Sequence, residues 1–230
     1  LFTRDTSCWI YNGVSINSMM MQARQRETIN YEAIYRWHPL FAGSDFPVWS
    51  EGTQAGPATV EGGDVQIIGN GAVLVGVSER TTAQGIERLA SRLFAGGTVN
   101  RIIAVEMNRT RAQMHLDTVM TMVDVGTFTI YGGLGKLPTL TLRPDGDKQI
   151  SVTRNAPEDM YRVIAQALGV DELNVLITPQ DSMAAAREQW DDGSNSLAIA
   201  PGVVITYERN VNTNEYLTSH GIEVLTIPGS

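Results

Sequence analysis

Cysteine is almost absent from this 230-residue sequence. Cys8 stands alone, which excludes an intrachain disulfide framework and points to a reducing, cytoplasmic setting. Histidine is scarce too: three residues, in no dense run of metal ligands, so no metal or other cofactor is expected. Basic residues are outnumbered, 17 Lys and Arg against 25 Asp and Glu, for a net charge of −8. With no basic stripe interleaved with aromatics, this argues against a nucleic-acid partner. No apolar run reaches the ~18 residues that a membrane helix needs, so no membrane partner is expected. Neither end reads as a signal peptide.

What is present is an ordinary globular composition, 43% hydrophobic and 18% charged, over a length that can bury a real core. One unit recurs along it: two strands, a helix, a strand. The first hairpin reads as Ser7 to Tyr11, a turn at Asn12-Gly13, and a return through Ile16. The second runs Val65 to Ile68 and Ala72 to Val75 around Gly69-Asn70-Gly71. The third runs Thr118 to Val123 and Thr127 to Tyr131 around Gly126. The fourth runs Leu197 to Ile199 and Val203 to Tyr207 around Pro201-Gly202. Helices are predicted over Arg24 to Trp37, with Ile29, Ala33, Ile34 and Trp37 as its apolar face, and over Thr81 to Phe94, with Thr81 and Gln84 as a capping box. Two more are predicted over Pro157 to Leu168 and about Thr213 to His220. Closing strands follow near Phe46 to Trp49, Ile102 to Val105, Asn174 to Ile177 and Glu223 to Ile227; Thr178 to Gly193 reads as loop. The fold class is therefore α/β: repeated ββαβ units, about four of them, in one pseudo-symmetric αβ-propeller domain over residues 1–230.

Two acidic runs stand at hairpin openings, Glu61-Gly62-Gly63-Asp64 and Met114-His115-Leu116-Asp117, and Phe2-Thr3-Arg4-Asp5 opens a third. Aligned on the hairpins, Asp5, Asp64 and Asp117 occupy equivalent places, and equivalent places in a radial repeat converge on its axis. That gathers Asp5, Glu61, His115 and Asp117 round one pocket, where uncompensated acids repel one another unless a cation is bound. A guanidinium suits such a pocket, because carboxylates grip its planar fork. Histidine among carboxylates titrates where proton transfer near neutrality requires it. Plainer readings stand beside these. His115 and Asp117 share a face of any alternating strand, the Gly62-Gly63 pair could simply supply positive φ to a turn, and Arg24 and Arg80 open helices where a surface role is the default.

The segments FTRDTSCWIYNGV, EGGDV, SERT, MHLDTVMTMVD, QWDDGSN and APGVVITYERNVNTN resemble the arginine deiminase family of the guanidine-modifying superfamily, along essentially the whole chain. The resemblance implies a five-bladed αβ propeller. It also implies hydrolysis of L-arginine to L-citrulline and ammonia through a covalent intermediate on a cysteine. Carried onto matching positions, Asp5 and Asp117 clamp the guanidinium, and His115 is acid to the leaving ammonia and then base for water. Glu61 supports the proton traffic, Phe2 lines the pocket, and Arg24 and Arg80 hold the α-carboxylate.

The family's nucleophilic cysteine belongs to a motif that follows a segment resembling Ile222 to Ser230, and its first blade precedes Leu1. The expectation is a domain incomplete at both ends and inactive alone. Cys8, three residues after Asp5, would point to the opposite face of a strand, as a buried structural thiol. Alternatives are another guanidine-modifying hydrolase or amidinotransferase, a metallohydrolase using His115 and the acids, and an inactive arginine-binding fragment. Oligomeric state is left open, a homo-oligomer included.

Overall fold

The first hairpin turns one residue earlier than its Asn-Gly pair predicts. The computed structural model describes residues 2–146 and 149–229. In it strand β1 (Ser7–Ile10) pairs with β2 (Gly13–Ile16), Ile10 opposite Gly13, so the loop is Tyr11-Asn12, with Tyr11 at φ 53°. Gly13 serves another purpose: a Cβ there would lie 2.5 Å from the Trp49 indole. Nor does Phe2 to Asp5 open the hairpin as a strand. Thr3–Thr6 forms a single helical turn, α1, closed by the Thr6 hydroxyl donating to the Thr3 carbonyl. Leu1 lies outside the described residues.

After β2 comes helix α2 (Gln22–Trp37), and then β3 (Val48–Glu51) pairs parallel to β2. The apolar face predicted for α2 is overturned: Ile29 is 54% and Trp37 67% exposed. The inward stripe is instead Arg24, Thr28, Tyr31 and Tyr35, spaced for one helix face. Thr28 donates its hydroxyl hydrogen bond to the Asn17 carbonyl, and Tyr35 shares one with Ser7.

The next unit is β4 (Val65–Gly69), β5 (Ala72–Val77), α3 (Ala83–Ala95) and β6 (Arg101–Glu106). Its turn is Asn70-Gly71, both at positive φ, as a two-residue hairpin demands. Thr82, not Thr81, caps α3 by accepting from the Gly85 amide, because the Thr81 hydroxyl is committed to the Glu61 amide. The third unit holds β7 (Met120–Asp124) and β8 (Thr127–Ile130), then an unpredicted hairpin of β9 (Thr139–Asp145) and β10 (Gln149–Asn155). That hairpin pairs through β9 onto β6, extending the second sheet to the order β10-β9-β6-β5-β4. Helix α4 (Met160–Leu168) follows a 3-10 turn begun by Pro157 and ends at left-handed Gly169; β11 (Asn174–Leu176) returns beside β8.

The stretch read as loop contains helix α5 (Ser182–Trp190), capped by Asp181 accepting from the Met183 and Ala184 amides. The last unit is β12 (Leu197–Ala200), β13 (Val203–Tyr207), α6 (Val211–Ser219) and β14 (Glu223–Ile227). In all four sheets an antiparallel pair is joined by a parallel third strand. The result is a mixed α/β fold whose sheets do not close into a ring among the described residues.

Two cores share the second sheet. On β5, Ala72 and Leu74 face a core with Ile103, Leu116, Met120, Phe128 and Ile164, while Val73 and Val75 face another with Ile10, Ile86, Leu89 and Leu93. The period of two thus buries both faces of the strand. A smaller cluster of Val123, Leu176, Val204, Leu217 and Ile222 underlies the last unit. No helix among the described residues is long and apolar enough to cross a membrane.

Candidate active site

Three short turns bring the acids together. The α1 turn presents Arg4 and Asp5. Glu61 precedes a 3-10 turn, Gly62–Asp64, at the entry to β4. His115 precedes another, Leu116–Thr118, before β7. This replaces the alternating strand expected for His115 and Asp117: Leu116, fully buried in the core, anchors the turn and leaves its two neighbours facing one cleft.

The glycines between Glu61 and Asp64 are there for close approach rather than for φ, which is positive at neither. A Cβ on Gly62 would run into the Arg4 carbonyl, and one on Gly63 would lie 2.7 Å from His115 Nδ1 and 3.0 Å from Asp5 Oδ1. The Gly63 amide also donates to Asp5 Oδ1 at 3.2 Å.

At the centre is a buried His115–Glu61 pair, Nε2 to Oε2 at 2.8 Å, with His115 Nδ1 3.8 Å from Asp5 Oδ1. Glu61 is fully buried; its other oxygen accepts from the Met20 amide, and Arg80 Nη1 stands 3.8 Å away. Burial alone would lower the His115 pKa, but the Glu61 hydrogen bond and the charges of Asp64, Asp5 and Asp117 raise it to about 9. His115 is thus a cation at neutral pH.

Asp117 is buried beside it, its Oδ1 without a hydrogen-bond partner among the described residues and its Oδ2 3.7 Å from Arg4 Nη1. Burial, reinforced by Asp5 and Asp64, raises its pKa to about 7 against the pull of His115 and Arg4. Asp64 takes no place in the cleft. It is a strut: Oδ1 accepts the Leu116 amide at 2.9 Å and Oδ2 the Ser78 hydroxyl at 2.6 Å, and burial raises its pKa to about 6.

The cleft has a volume of about 780 Å³. Phe2, Asp5, Arg24, Arg80, His115 and Asp117 all line it, while Glu61 stands behind and reaches it through His115. The seven residues singled out from the sequence therefore come together. Phe2 is exposed at the mouth, with the Arg24 guanidinium carbon 5.9 Å from its ring centre. The sequence reading gave no role to Arg4, Glu27 or Asp192, which also line the cleft. Arg4 sits inside the FTRD segment, and Glu27 follows Arg24 by one helical turn, so both were within reach of spacing arguments. Asp192 is a non-glycine residue at φ 60°, a conformation its sequence does not announce.

Asp5, Glu61 and His115 could each offer one atom to a metal, all within 4.8 Å of one another. Those atoms already have partners: Glu61 holds His115, and Asp5 holds Arg24 Nη1 at 2.7 Å and the Gly63 amide. Cys8 is buried away from the cleft, its sulfur accepting from Asn17 at 3.6 Å, and burial raises its thiol pKa.

A family model described as arginine deiminase matches residues 1–230. The chain belongs to the arginine deiminase family. The solved structures of similar fold named below are distant in sequence. DDAH from Pseudomonas aeruginosa, a Cys-to-Ser mutant complexed with citrulline, aligns at 18% identity and a TM-score of 0.63, over 99% of this chain and 68% of that one. An amidinotransferase from Microseira wollei aligns at 15% identity and 0.65, over 98% and 63%. ArgZ, an arginine dihydrolase of cyanobacteria, aligns at 16% and 0.65, over 99% and 30%. Membership of the arginine deiminase family makes this a guanidine-modifying enzyme by class.

Proposed function

We propose that the protein hydrolyses L-arginine to L-citrulline and ammonia. The observation that carries the reading is the buried His115–Glu61 hydrogen bond flanked by the Asp5 and Asp117 carboxylates in a cleft that also holds Arg24 and Arg80. Carboxylates grip a delocalised cation, arginines hold a carboxylate, and a histidine at this pKa can donate a proton. In this mechanism Asp5 and Asp117 orient the guanidinium. A thiolate attacks its carbon, and His115 protonates the departing ammonia. Neutral His115 then takes a proton from water as water adds to the amidino-thioether, and the thiolate leaves citrulline behind.

Cys8, buried behind Asn17, does not face the cleft. The thiolate in this reading is therefore not that of Cys8. Residues 1–230 act as one propeller-like catalytic domain, with the four sheets as its blades. Arg24 and Arg80 favour arginine over agmatine, which has no carboxylate for them to hold.

The test is citrulline formation by protein extended to the family's cysteine motif, assayed with and without a strong chelator. Citrulline in both conditions supports the reading. Folded, extended protein that forms no citrulline overturns it, and activity abolished by chelation would turn it toward a metallohydrolase.

A further inference from the structure

We propose that Arg24 is an internal occupant of the guanidinium site and that a substrate carboxylate must draw it away, so that recognition of one end of the substrate opens the site for the other. The inference rests on the guanidine reading above and adds the element that enforces it.

Both carboxylates assigned to the substrate guanidinium already face guanidiniums of this chain. Asp5 Oδ2 holds Arg24 Nη1 at 2.7 Å, and Asp117 Oδ2 lies 3.7 Å from Arg4 Nη1. The Arg24 contacts are those of a bound guanidine: a carboxylate on one edge, the Phe2 carbonyl at 3.2 Å, and the Phe2 ring alongside. A substrate guanidinium that takes Asp5 Oδ2 competes with Arg24 for it.

The two cleft arginines are not equally free to move. The Arg80 side chain is 5% exposed, wedged between Glu61 and Glu79. That of Arg24 is 20% exposed and is tethered through Nε and Nη2 to Glu27, one turn along α2. Turning about that tether releases Nη1 from Asp5 while the Glu27 bonds persist. Arg80 is thus the fixed receptor for a carboxylate and Arg24 the movable one. A ligand with a guanidinium alone must displace Arg24 and offers it nothing in return. A ligand with a carboxylate gives Arg24 a new partner, and the two ends become thermodynamically coupled.

The coupling can be measured without any mutation by using the two ends of arginine as separate molecules, glycine and methylguanidine. Methylguanidine affinity is determined by calorimetry or ligand-observed NMR, first alone and then in saturating glycine. Glycine should tighten it about fivefold or more, the lower range of allosteric coupling. Unchanged or weaker affinity overturns the proposal. In Arg24→Gln, methylguanidine should bind about fivefold tighter than to the parent, with no further effect of glycine, since the competing occupant is gone. Removing a positive charge beside Asp5 favours a cation in any case, so the deciding readout is the glycine effect: glycine that still tightens methylguanidine in the variant overturns the proposal. If the variant does not fold, the glycine experiment on the parent decides. Titration with L-arginine separates the two readings. Absence of arginine binding to folded protein sinks both, whereas arginine bound with uncoupled halves sinks this inference alone.

Discussion

Glu61, Asp5, His115 and Asp117 illustrate how much of a site single residues disclose. Their chemistry was legible because ionisable side chains recur at three hairpin openings that a repeat brings together. Their division of labour was not. Glu61 and Asp64 belong to one acidic run, yet Glu61 holds His115 while Asp64 braces the Leu116 amide and Ser78. Only the direction in which the 3-10 turn throws each side chain separates them, and no periodicity encodes that direction. The raised Asp117 pKa gives a prediction at this scale. A guanidinium binds the carboxylate form, and Asp117 holds its proton up to about pH 7. Binding below that pH must therefore expel a proton, and affinity should fall as pH falls, approaching tenfold per unit well below 7 and levelling off above it. Calorimetry of arginine at pH 6 in two buffers of different ionisation enthalpy should show a proton released on binding. Equal heats in the two buffers would contradict the assignment of Asp117.

Among the elements, α3 and α4 were readable because burial follows their hydrophobic period. Helix α2 was misread because it has two candidate stripes and the more apolar one faces outward. Its inward stripe is polar, anchored by the Thr28 and Tyr35 hydroxyls, so a pattern count chooses wrongly. Helix α5 was missed for the same physical reason: its large apolar residues Met183 and Trp190 are exposed. With Thr28 as its one buried residue, α2 has little apolar area to lose on opening. Its amides should exchange with deuterium faster than those of α3, which buries Ile86, Leu89, Ala90 and Leu93. Equal protection of the two helices, read by mass spectrometry of peptides, would contradict this. Arginine binding should slow exchange in α2, because Arg24 lies in its first turn.

For the whole molecule, the repeat was legible through turn chemistry. Gly71, Gly126 and Gly202 each adopt the positive φ that a hairpin turn requires, and a parallel strand follows each pair. The β9–β10 hairpin was not legible, since it interrupts the third unit only to join the sheet of the second. Sequence order places it with one repeat and hydrogen bonding with another. Convergence of the acids survives that irregularity, because β4, β5 and β7 leave the turns that carry them adjacent.

The strand β12 has a practical consequence. Among the described residues it pairs only with β13, and its four residues, Leu197, Ala198, Ile199 and Ala200, are all exposed. Short, apolar and uncharged, it is a template on which a second chain could add a strand of its own. Concentrated samples of this chain should therefore scatter more light with time, in proportion to protein concentration. A lysine at the middle of that edge, Ile199→Lys, should suppress the growth without touching the cleft. Scattering that grows equally in both proteins would place the sticky surface elsewhere.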